Sequence, residues 1–160
     1  MHLSDLYIYP LKSGAGIHLE ESVVEARGLH LDRRWLVVDQ DGRFMTARKH
    51  PKMVLIRAVP QPNLDLMLYA EGHRAILVSG NYHLDQLEKV SVWSDECEGI
   101  YMSREADQWL FNILGASCRL VFMPDESERP VDPDYAQKGD IVSFADGYPL
   151  LLTNQASLAD

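Results

Sequence analysis

Short runs of apolar and β-branched residues, separated by turn residues, recur along the first part of the chain at intervals of roughly ten residues. Runs of this kind predict β-strands, and their regular spacing favours a closed or nearly closed antiparallel barrel. The pattern predicts strands over residues 3–9, 17–26, 35–38, 44–46, 53–59, 64–70, 75–78, 89–93 and 98–102, with two more at 118–123 and 141–144.

One segment has the period of an α-helix instead. Ser103 is a good N-cap, and Gly115 stands where a helix would end. Between them, apolar residues recur at i, i+3, i+4, i+7 and i+8, which predicts a single stripe that covers the sheet. The predicted fold is therefore mainly β (α+β), an antiparallel barrel of short strands with one amphipathic covering helix. The stripe consists of Ala106, Trp109, Leu110, Ile113 and Leu114.

The stretch Gly28–Arg48 predicts a β-hairpin on which candidate chemistry is concentrated. Two apolar runs flank Asp41-Gly42, a dipeptide that adopts positive φ at low cost. Arg33 and Arg48 stand at the strand ends farthest from that turn, and antiparallel pairing would bring those ends together. We therefore expect two guanidinium groups to converge on a candidate anion site.

A glycine-bearing turn, KSGAG at residues 12–16, follows the first predicted strand. Glycines let the backbone approach a ligand closely and aim successive N–H groups at it, as in anion-binding nests. An ordinary structural turn has the same composition. The turn alone therefore leaves both interpretations open.

The distribution of charge favours a small anionic ligand over a polyanion. The net charge of −9 argues against nucleic acid as a partner. Residues 1–60 nevertheless hold nine Lys and Arg against seven Asp and Glu, whereas residues 61–160 hold six against seventeen. This asymmetry fits a compact anion site in the first third of the chain, although surface charge also varies along a chain without function.

Length and composition limit the other possibilities. A chain of 160 residues suits one domain, and it contains no apolar run near the roughly 20 residues that cross a bilayer. We expect a soluble, cytoplasmic protein without a membrane partner. Cys97 and Cys118 have no closely spaced partner and read as unpaired structural residues. The six histidines are scattered, so no metal site is predicted.

The last part of the chain changes character. Residues 124–140 are acidic and proline-bearing, which by composition predicts a solvated linker. Thr153 or Asn154 resembles a helix cap, followed by less than two turns of helical sequence. A helix this short is marginal without a partner. We therefore expect the chain to stop inside an element, as a fragment of a longer protein would.

Several motifs, in this order along nearly the whole chain, resemble the N-terminal β-barrel domain of MOSC proteins, the group that includes the mitochondrial amidoxime-reducing component and bacterial relatives. The resemblance implies that residues 1–150 form this domain and that residues 151–160 begin a following, truncated MOSC domain. The motifs are YPLKS at 9–13, LDRRWLV at 31–37, TAR at 46–48, RPV at 129–131, SFADGYP at 143–149 and ASL at 156–158.

The resemblance implies part of a molybdenum enzyme that reduces N-hydroxylated compounds such as amidoximes and hydroxylated nucleobases. In that family, the lysine and serine of the first motif and the first arginine of the second hold the phosphate and pterin of the molybdenum cofactor (molybdopterin). The TAR arginine is a plausible neighbour, and the later glycine-tyrosine turn resembles one that touches the cofactor from the other side. The cofactor-binding residues implied in this way are Lys12, Ser13, Arg33, Arg48, Gly147 and Tyr148.

The resemblance also implies partners. The molybdenum-binding cysteine of the family lies in the C-terminal MOSC domain, and neither Cys97 nor Cys118 stands in its motif. Electrons would come from an iron–sulfur or flavin donor. If residues 1–160 were the whole protein, we would expect no reductase chemistry and no catalytic residue in the chain.

Two alternatives remain open from the sequence. The chain could be a non-catalytic barrel that binds a substrate or a protein through its acidic second half. It could also bind pyridoxal phosphate through Lys12, an idea that also attaches to the MOSC group. A Schiff base there needs a desolvated, neutral lysine.

Overall fold

The structure is a computed structural model, and it describes residues 2–154 and 156–157. In this part of the chain, eleven short strands and one α-helix confirm the mainly β fold. The strands are β1 (Leu6–Ile8), β2 (Ile17–Leu19), β3 (Val24–Glu25), β4 (Gly28–Leu29), β5 (Trp35–Val38), β6 (Arg57–Pro60), β7 (Leu66–Tyr69), β8 (Ile76–Val78), β9 (Leu87–Val92), β10 (Asp95–Tyr101) and β11 (Arg119–Phe122), and the helix is α1 (Arg104–Leu114).

The strands pair antiparallel in four sheets. The largest has the order β5-β11-β10-β9, a second has the order β6-β7-β8, and β1–β2 and β3–β4 form two-stranded sheets. Both edges of the largest sheet also bond the segment 42–45, because the Met45 N–H donates to the Val37 carbonyl (2.8 Å) and the Phe44 N–H donates to the Ser91 carbonyl (3.0 Å). Since these contacts are isolated bridges rather than ladders, the closed barrel stays a prediction.

The central hairpin is present only in part. The turn at Asp41-Gly42 forms, with Gly42 at φ 78°, and a bridge joins Val38 to Phe44. The main partner of β5, however, is β11, with Trp35 opposite Phe122. β5 therefore takes its ladder partner from a distant part of the chain rather than from the hairpin, and all four of its residues are buried.

Helix α1 begins and ends at the predicted residues. The Ala106 N–H donates to the Ser103 hydroxyl (3.1 Å), and Gly115 adopts the left-handed conformation at φ 68°. Ala106 and Leu110 are fully buried against the strands, and burying one leucine side chain contributes about 1.5–3 kcal/mol. None of the helices in the described part of the chain combines the length and apolarity needed to cross a bilayer.

The alternation of side chains along β5 divides the interior into two apolar clusters. Trp35 and Val37 face the cluster that α1 covers, whereas Leu36 and Val38 face a second cluster. This separation follows from the two-residue period of a strand. Because both faces are covered, β5 lies at the centre of the domain, and the loop that precedes it is fixed in position.

Three of the strand and turn predictions are wrong in detail. Residues 51–55 form a 3₁₀ helix instead of a strand, because Pro51 favours the first helical turn, and β6 begins only at Arg57. The turn between β9 and β10 falls at Trp93-Ser94 rather than at residues 94–96. Residues 141–144 form no strand, and only Ile141 makes a bridge, to Pro130.

The prediction of a solvated linker over residues 124–140 is also wrong in its central part. Ser127, Arg129 and Val131 are buried, and the Arg129 side chain reaches into the domain. The acidic residues of this segment are exposed as predicted, but the Arg129 guanidinium is bonded inside the protein.

The predicted helix start over residues 153–160 lies partly outside the described residues. Residues 156–157 are helical. The Ser157 N–H donates to Asn154 Oδ1 (2.8 Å), which is the hydrogen bond that an N-cap residue accepts. Residues 155 and 158–160 lie outside the described part.

Candidate anion-binding site

Three of the residues implied by the motifs line one cavity. Lys12, Ser13 and Arg33 surround a space of about 280 Å³ between the turn after β1 and the loop before β5. We call this space the anion cavity. Its complete lining is Tyr9, Lys12, Ser13, Gly14, Arg33, Ala47, Val54, Ala145 and Asp146.

Backbone hydrogen bonds between two motif segments bring these residues together. The Arg33 N–H donates to the Tyr9 carbonyl (3.0 Å), and the Lys12 N–H donates to the Trp35 carbonyl (2.9 Å). Leu11 and Trp35 form a parallel bridge between them. Because β5 is fixed in the core, this pairing fixes the positions of Lys12 and Arg33 on the same side of the domain.

The backbone around the cavity adopts sparsely populated conformations. Of the six non-glycine residues with positive φ in the described part, Ser13 (66°) and Arg33 (51°) line the cavity, and Trp93 (57°) donates to its Asp146. Such conformations cost of order 1–3 kcal/mol each, and they cluster at binding sites. Sequence reasoning did not predict them, because none of these residues is a glycine.

Lys12 is the most enclosed cation of the site. Its side chain is 7% exposed, and Nζ donates to the Phe144 carbonyl and to Asp146 Oδ1, both at 2.7 Å. Burial lowers the pKa of Lys12, and the hydrogen bond and charge of Asp146 only partly compensate.

Asp146 is the partner that sequence reasoning missed. Its side chain is 73% exposed, and its Oδ1 also accepts from Trp93 Nε1 (3.1 Å). Burial would raise the pKa of Asp146, but the hydrogen bond and charge of Lys12 outweigh it and lower that pKa. The two shifts favour opposite protonation states of the pair, and the 2.7 Å contact with a largely exposed carboxylate favours the ionised one.

Arg33 is also paired with a carboxylate. Asp32, whose side chain is 3% exposed, accepts the Tyr9 N–H (2.7 Å) and forms an ion pair with the Arg33 guanidinium. Burial raises the pKa of Asp32, and the charge of Arg33 and the Tyr9 hydrogen bond oppose that rise. The guanidinium also lies 4.7 Å from the centre of the Tyr9 ring, so Arg33 is held on two sides.

The other three implied residues lie outside the anion cavity. Arg48 lies over Trp93, 5.3 Å from the ring centre, and its charge acts on Asp146. The hairpin predicted that Arg33 and Arg48 converge on one site. Instead, Arg33 lines the anion cavity and Arg48 does not. Gly147 lines a neighbouring cavity of about 580 Å³ that shares Asp146 as a wall. Tyr148 lines neither cavity and packs edge-on against Tyr135.

Arg129 holds the segment that carries Asp146. The Arg129 side chain is 2% exposed, and two of its nitrogens donate to Asp95 Oδ2, at 2.9 and 2.7 Å. The guanidinium also donates to the carbonyls of Ser143, Ala145 and Asp146. The motifs RPV and SFADGYP, which stand far apart from the anion turn in sequence, contained the signal for this contact.

Two residues that line the anion cavity keep hydrogen-bond donors unused. Within the described part of the chain, neither the N–H nor the hydroxyl of Ser13 has a hydrogen-bond partner, and Arg33 uses only one guanidinium nitrogen on Asp32. In the same residues, no three His, Cys, Asp or Glu side chains gather as a metal site would require. Burial raises the pKa of Cys97 to about 11 and that of Cys118 to about 12, so both remain thiols.

The structure is thus a mainly β domain in which Lys12, Ser13 and Arg33 line one cavity. The chain matches the family model described as the MOSC N-terminal beta barrel domain over residues 1–117, and it belongs to that family. The resemblance stated from the motifs is therefore confirmed.

Several full-length proteins are similar to the chain. It is 32% identical to mitochondrial amidoxime-reducing component 1 of Mus musculus and 30% identical to mitochondrial amidoxime reducing component 2 of Homo sapiens, in each case over 99% of the chain. It is also 30% identical to the molybdenum cofactor sulfurase of Danio rerio over 98% of the chain. The chain spans 49–50% of the length of the first two proteins and 20% of the third.

Proposed function

We propose that this chain forms the phosphate- and pterin-binding side of a molybdenum cofactor site in an oxidoreductase that reduces N-hydroxylated compounds. The observation that carries the proposal is the placement of Lys12, Ser13 and Arg33 around one cavity. The relatives named for amidoxime reduction and for the molybdenum cofactor support the same assignment.

The residues present fit a phosphate group. An ammonium, a guanidinium, a hydroxyl and a backbone N–H are the donors that a phosphate accepts most strongly, because charge-assisted bonds are roughly twice as strong as neutral ones. Ser13 has both of its donors unused within the described residues. When bound, the cofactor supplies the molybdenum centre for the reduction, and the task of this chain is to hold and orient the anionic end.

The proposal includes partners beyond the chain. A C-terminal MOSC domain provides the cysteine ligand of molybdenum, and an iron–sulfur or flavin protein provides electrons. We also propose that segment 42–45 closes the barrel by joining β5 to β9. We further propose that the protein is cytoplasmic. The word mitochondrial in the names of several relatives describes those proteins.

The contacts favour this function over the two alternatives. Pyridoxal phosphate needs a neutral Lys12, whereas Nζ donates to the Asp146 carboxylate at 2.7 Å. An absorbance band after incubation with the aldehyde, lost in Lys12→Met, would revive that alternative. A purely protein-binding module gives no reason for three phosphate donors to line one cavity.

Cofactor content tests the proposal in the full-length protein that contains this chain. Arg33→Lys keeps the charge beside Asp32 but loses the planar fork of donors, and Ser13→Ala removes one hydroxyl. We expect pterin and molybdenum per protein to fall in both variants, with thermal unfolding showing that each is folded. Arg43→Lys, at an exposed arginine paired with Asp41, is the matched control and should keep wild-type content. Unchanged content in both site variants would contradict the proposal.

A further inference from the structure

The carboxylate of Asp146 occupies the place where a bound anion would meet Lys12. A single oxygen, Oδ1, accepts from Lys12 Nζ at 2.7 Å and from Trp93 Nε1 at 3.1 Å. Asp146 lines the anion cavity itself, and Arg48 adds a further positive charge near it. The anion cavity therefore already contains one negatively charged group, the Asp146 carboxylate, among its lining residues.

The other hydrogen-bond donors of the cavity, on Ser13 and Arg33, do not donate to Asp146. The Ser13 N–H and hydroxyl have no partner within the described residues, and Arg33 is committed to Asp32 through one nitrogen only. Lys12 also donates to the Phe144 carbonyl, so that bond persists when its other partner changes. An entering anion thus competes with Asp146 for one bond of Lys12 and finds the other donors unoccupied.

Only the side chain of Asp146 has to move for this exchange. Arg129 donates to the backbone carbonyls of Ala145 and Asp146, and Lys12 donates to that of Phe144, which fixes the main chain. The Asp146 side chain is already 73% exposed. Rotation into solvent therefore gives up the bonds from Lys12 Nζ and Trp93 Nε1, keeps the carboxylate hydrated and requires no rearrangement of the fold.

We propose that Asp146 is an internal counter-anion, which a phosphate group displaces from Lys12, and that it makes the cavity selective for doubly charged anions. A singly charged carboxylate gains nothing at Lys12 that Asp146 does not already provide. A phosphate monoester has the greater charge and reaches the Ser13 and Arg33 donors as well. The inference rests on the proposed function, because it assumes that this cavity receives the phosphate of the ligand.

Pyrophosphate binding to the cofactor-free full-length protein tests the exchange. Asp146→Asn keeps an acceptor for Trp93 and removes the competing charge, so we expect the dissociation constant to fall at least about tenfold, the value of one hydrogen bond to a charged group. Asp41→Asn removes the same charge from an exposed aspartate paired with Arg43 and should leave the constant unchanged. In a Lys12→Gln background, the gain from Asp146→Asn should disappear.

An NMR signal reports the displacement directly. The indole N–H of Trp93 loses its acceptor when Asp146 leaves, so its resonance should shift as pyrophosphate is added to the wild type. The indole of Trp109 donates to the Arg74 carbonyl (2.7 Å) outside the cavity and serves as the internal reference.

The outcomes separate this inference from the function on which it rests. If the wild type binds pyrophosphate and Asp146→Asn binds it equally or more weakly, Asp146 is not a counter-anion. The proposal that the cavity binds an anion is then unaffected. If no protein in the series binds pyrophosphate, Asp146→Asn included, the anion site itself is overturned.

Discussion

The helix side of the domain consists of buried apolar side chains, whereas the anion cavity is lined by charged and polar ones. In α1, Ala106 and Leu110 are fully buried among apolar neighbours, and Ser103 caps the start of the helix. Around the cavity, Lys12 and Arg33 are held against carboxylates, and three residues have left-handed backbone. Apolar burial in the first region stabilises the fold. In the second region, the left-handed backbone and the unused hydrogen-bond donors lower the stability. Substitutions in the two regions should therefore change different measurements.

The largest loss of stability should come from the helix side. Leu110→Ala leaves a cavity under α1 and should lower the free energy of unfolding by about 2–5 kcal/mol, as measured by urea denaturation. Phe111→Ala, at the next residue and 44% exposed, should cost less than about 1 kcal/mol. Pyrophosphate affinity should stay at the wild-type value wherever Leu110→Ala is folded. A parallel loss of affinity would show that the two regions are not separate.

A somewhat smaller loss of stability should come from the cavity side and should be accompanied by loss of binding. Arg129→Met leaves Asp95 and three backbone carbonyls without their donor, which should cost about 2–4 kcal/mol in urea denaturation. Because Arg129 holds the segment that carries Asp146 and the Phe144 carbonyl, pyrophosphate binding should weaken as well. Arg43→Met, at an exposed arginine, is the control. Wild-type stability in Arg129→Met would mean that this buried cluster stabilises nothing.

The smallest effect concerns pH on the helix side. Burial raises the pKa of Asp107 above its ordinary 3.8, against the opposing hydrogen bonds from the Leu120 N–H and the Tyr101 hydroxyl. The folded state therefore binds the proton more tightly, so this contribution to stability is present below 3.8 and is lost as the pH rises through the raised pKa. Asp107→Asn should gain stability relative to wild type over that window, measured by urea denaturation at several pH values. A difference that does not change with pH would contradict the assignment.

The contrast also explains what the sequence predicts well. α1 follows from signals within a few residues of each other, namely the Ser103 cap, the apolar period and Gly115. Lys12, Ser13 and Arg33 follow from two motifs that turn out to be paired along their backbones. The bond between Lys12 and Asp146 joins residues 134 positions apart, and no local pattern indicates it.

The errors share the same cause. The hairpin turn was predictable from Asp41-Gly42, but the choice of β11 as the partner of β5 depends on a strand more than 80 residues away. Among the polar residues of 124–140, Arg129 is buried because carbonyls 14 and 16 positions away accept its hydrogen bonds. Composition does not distinguish a polar side chain bonded inside a protein from one bonded to water.

One titration tests the central claim most directly. Pyrophosphate is added to the cofactor-free full-length protein, and backbone amide and arginine side-chain NMR signals are followed. We predict that the Ser13 amide, the Lys12 amide and the Arg33 guanidinium shift with one common dissociation constant while the amides of α1 stay in place. Absence of saturable shifts at Ser13 and Arg33, or equal shifts along α1, would contradict a shared anion site.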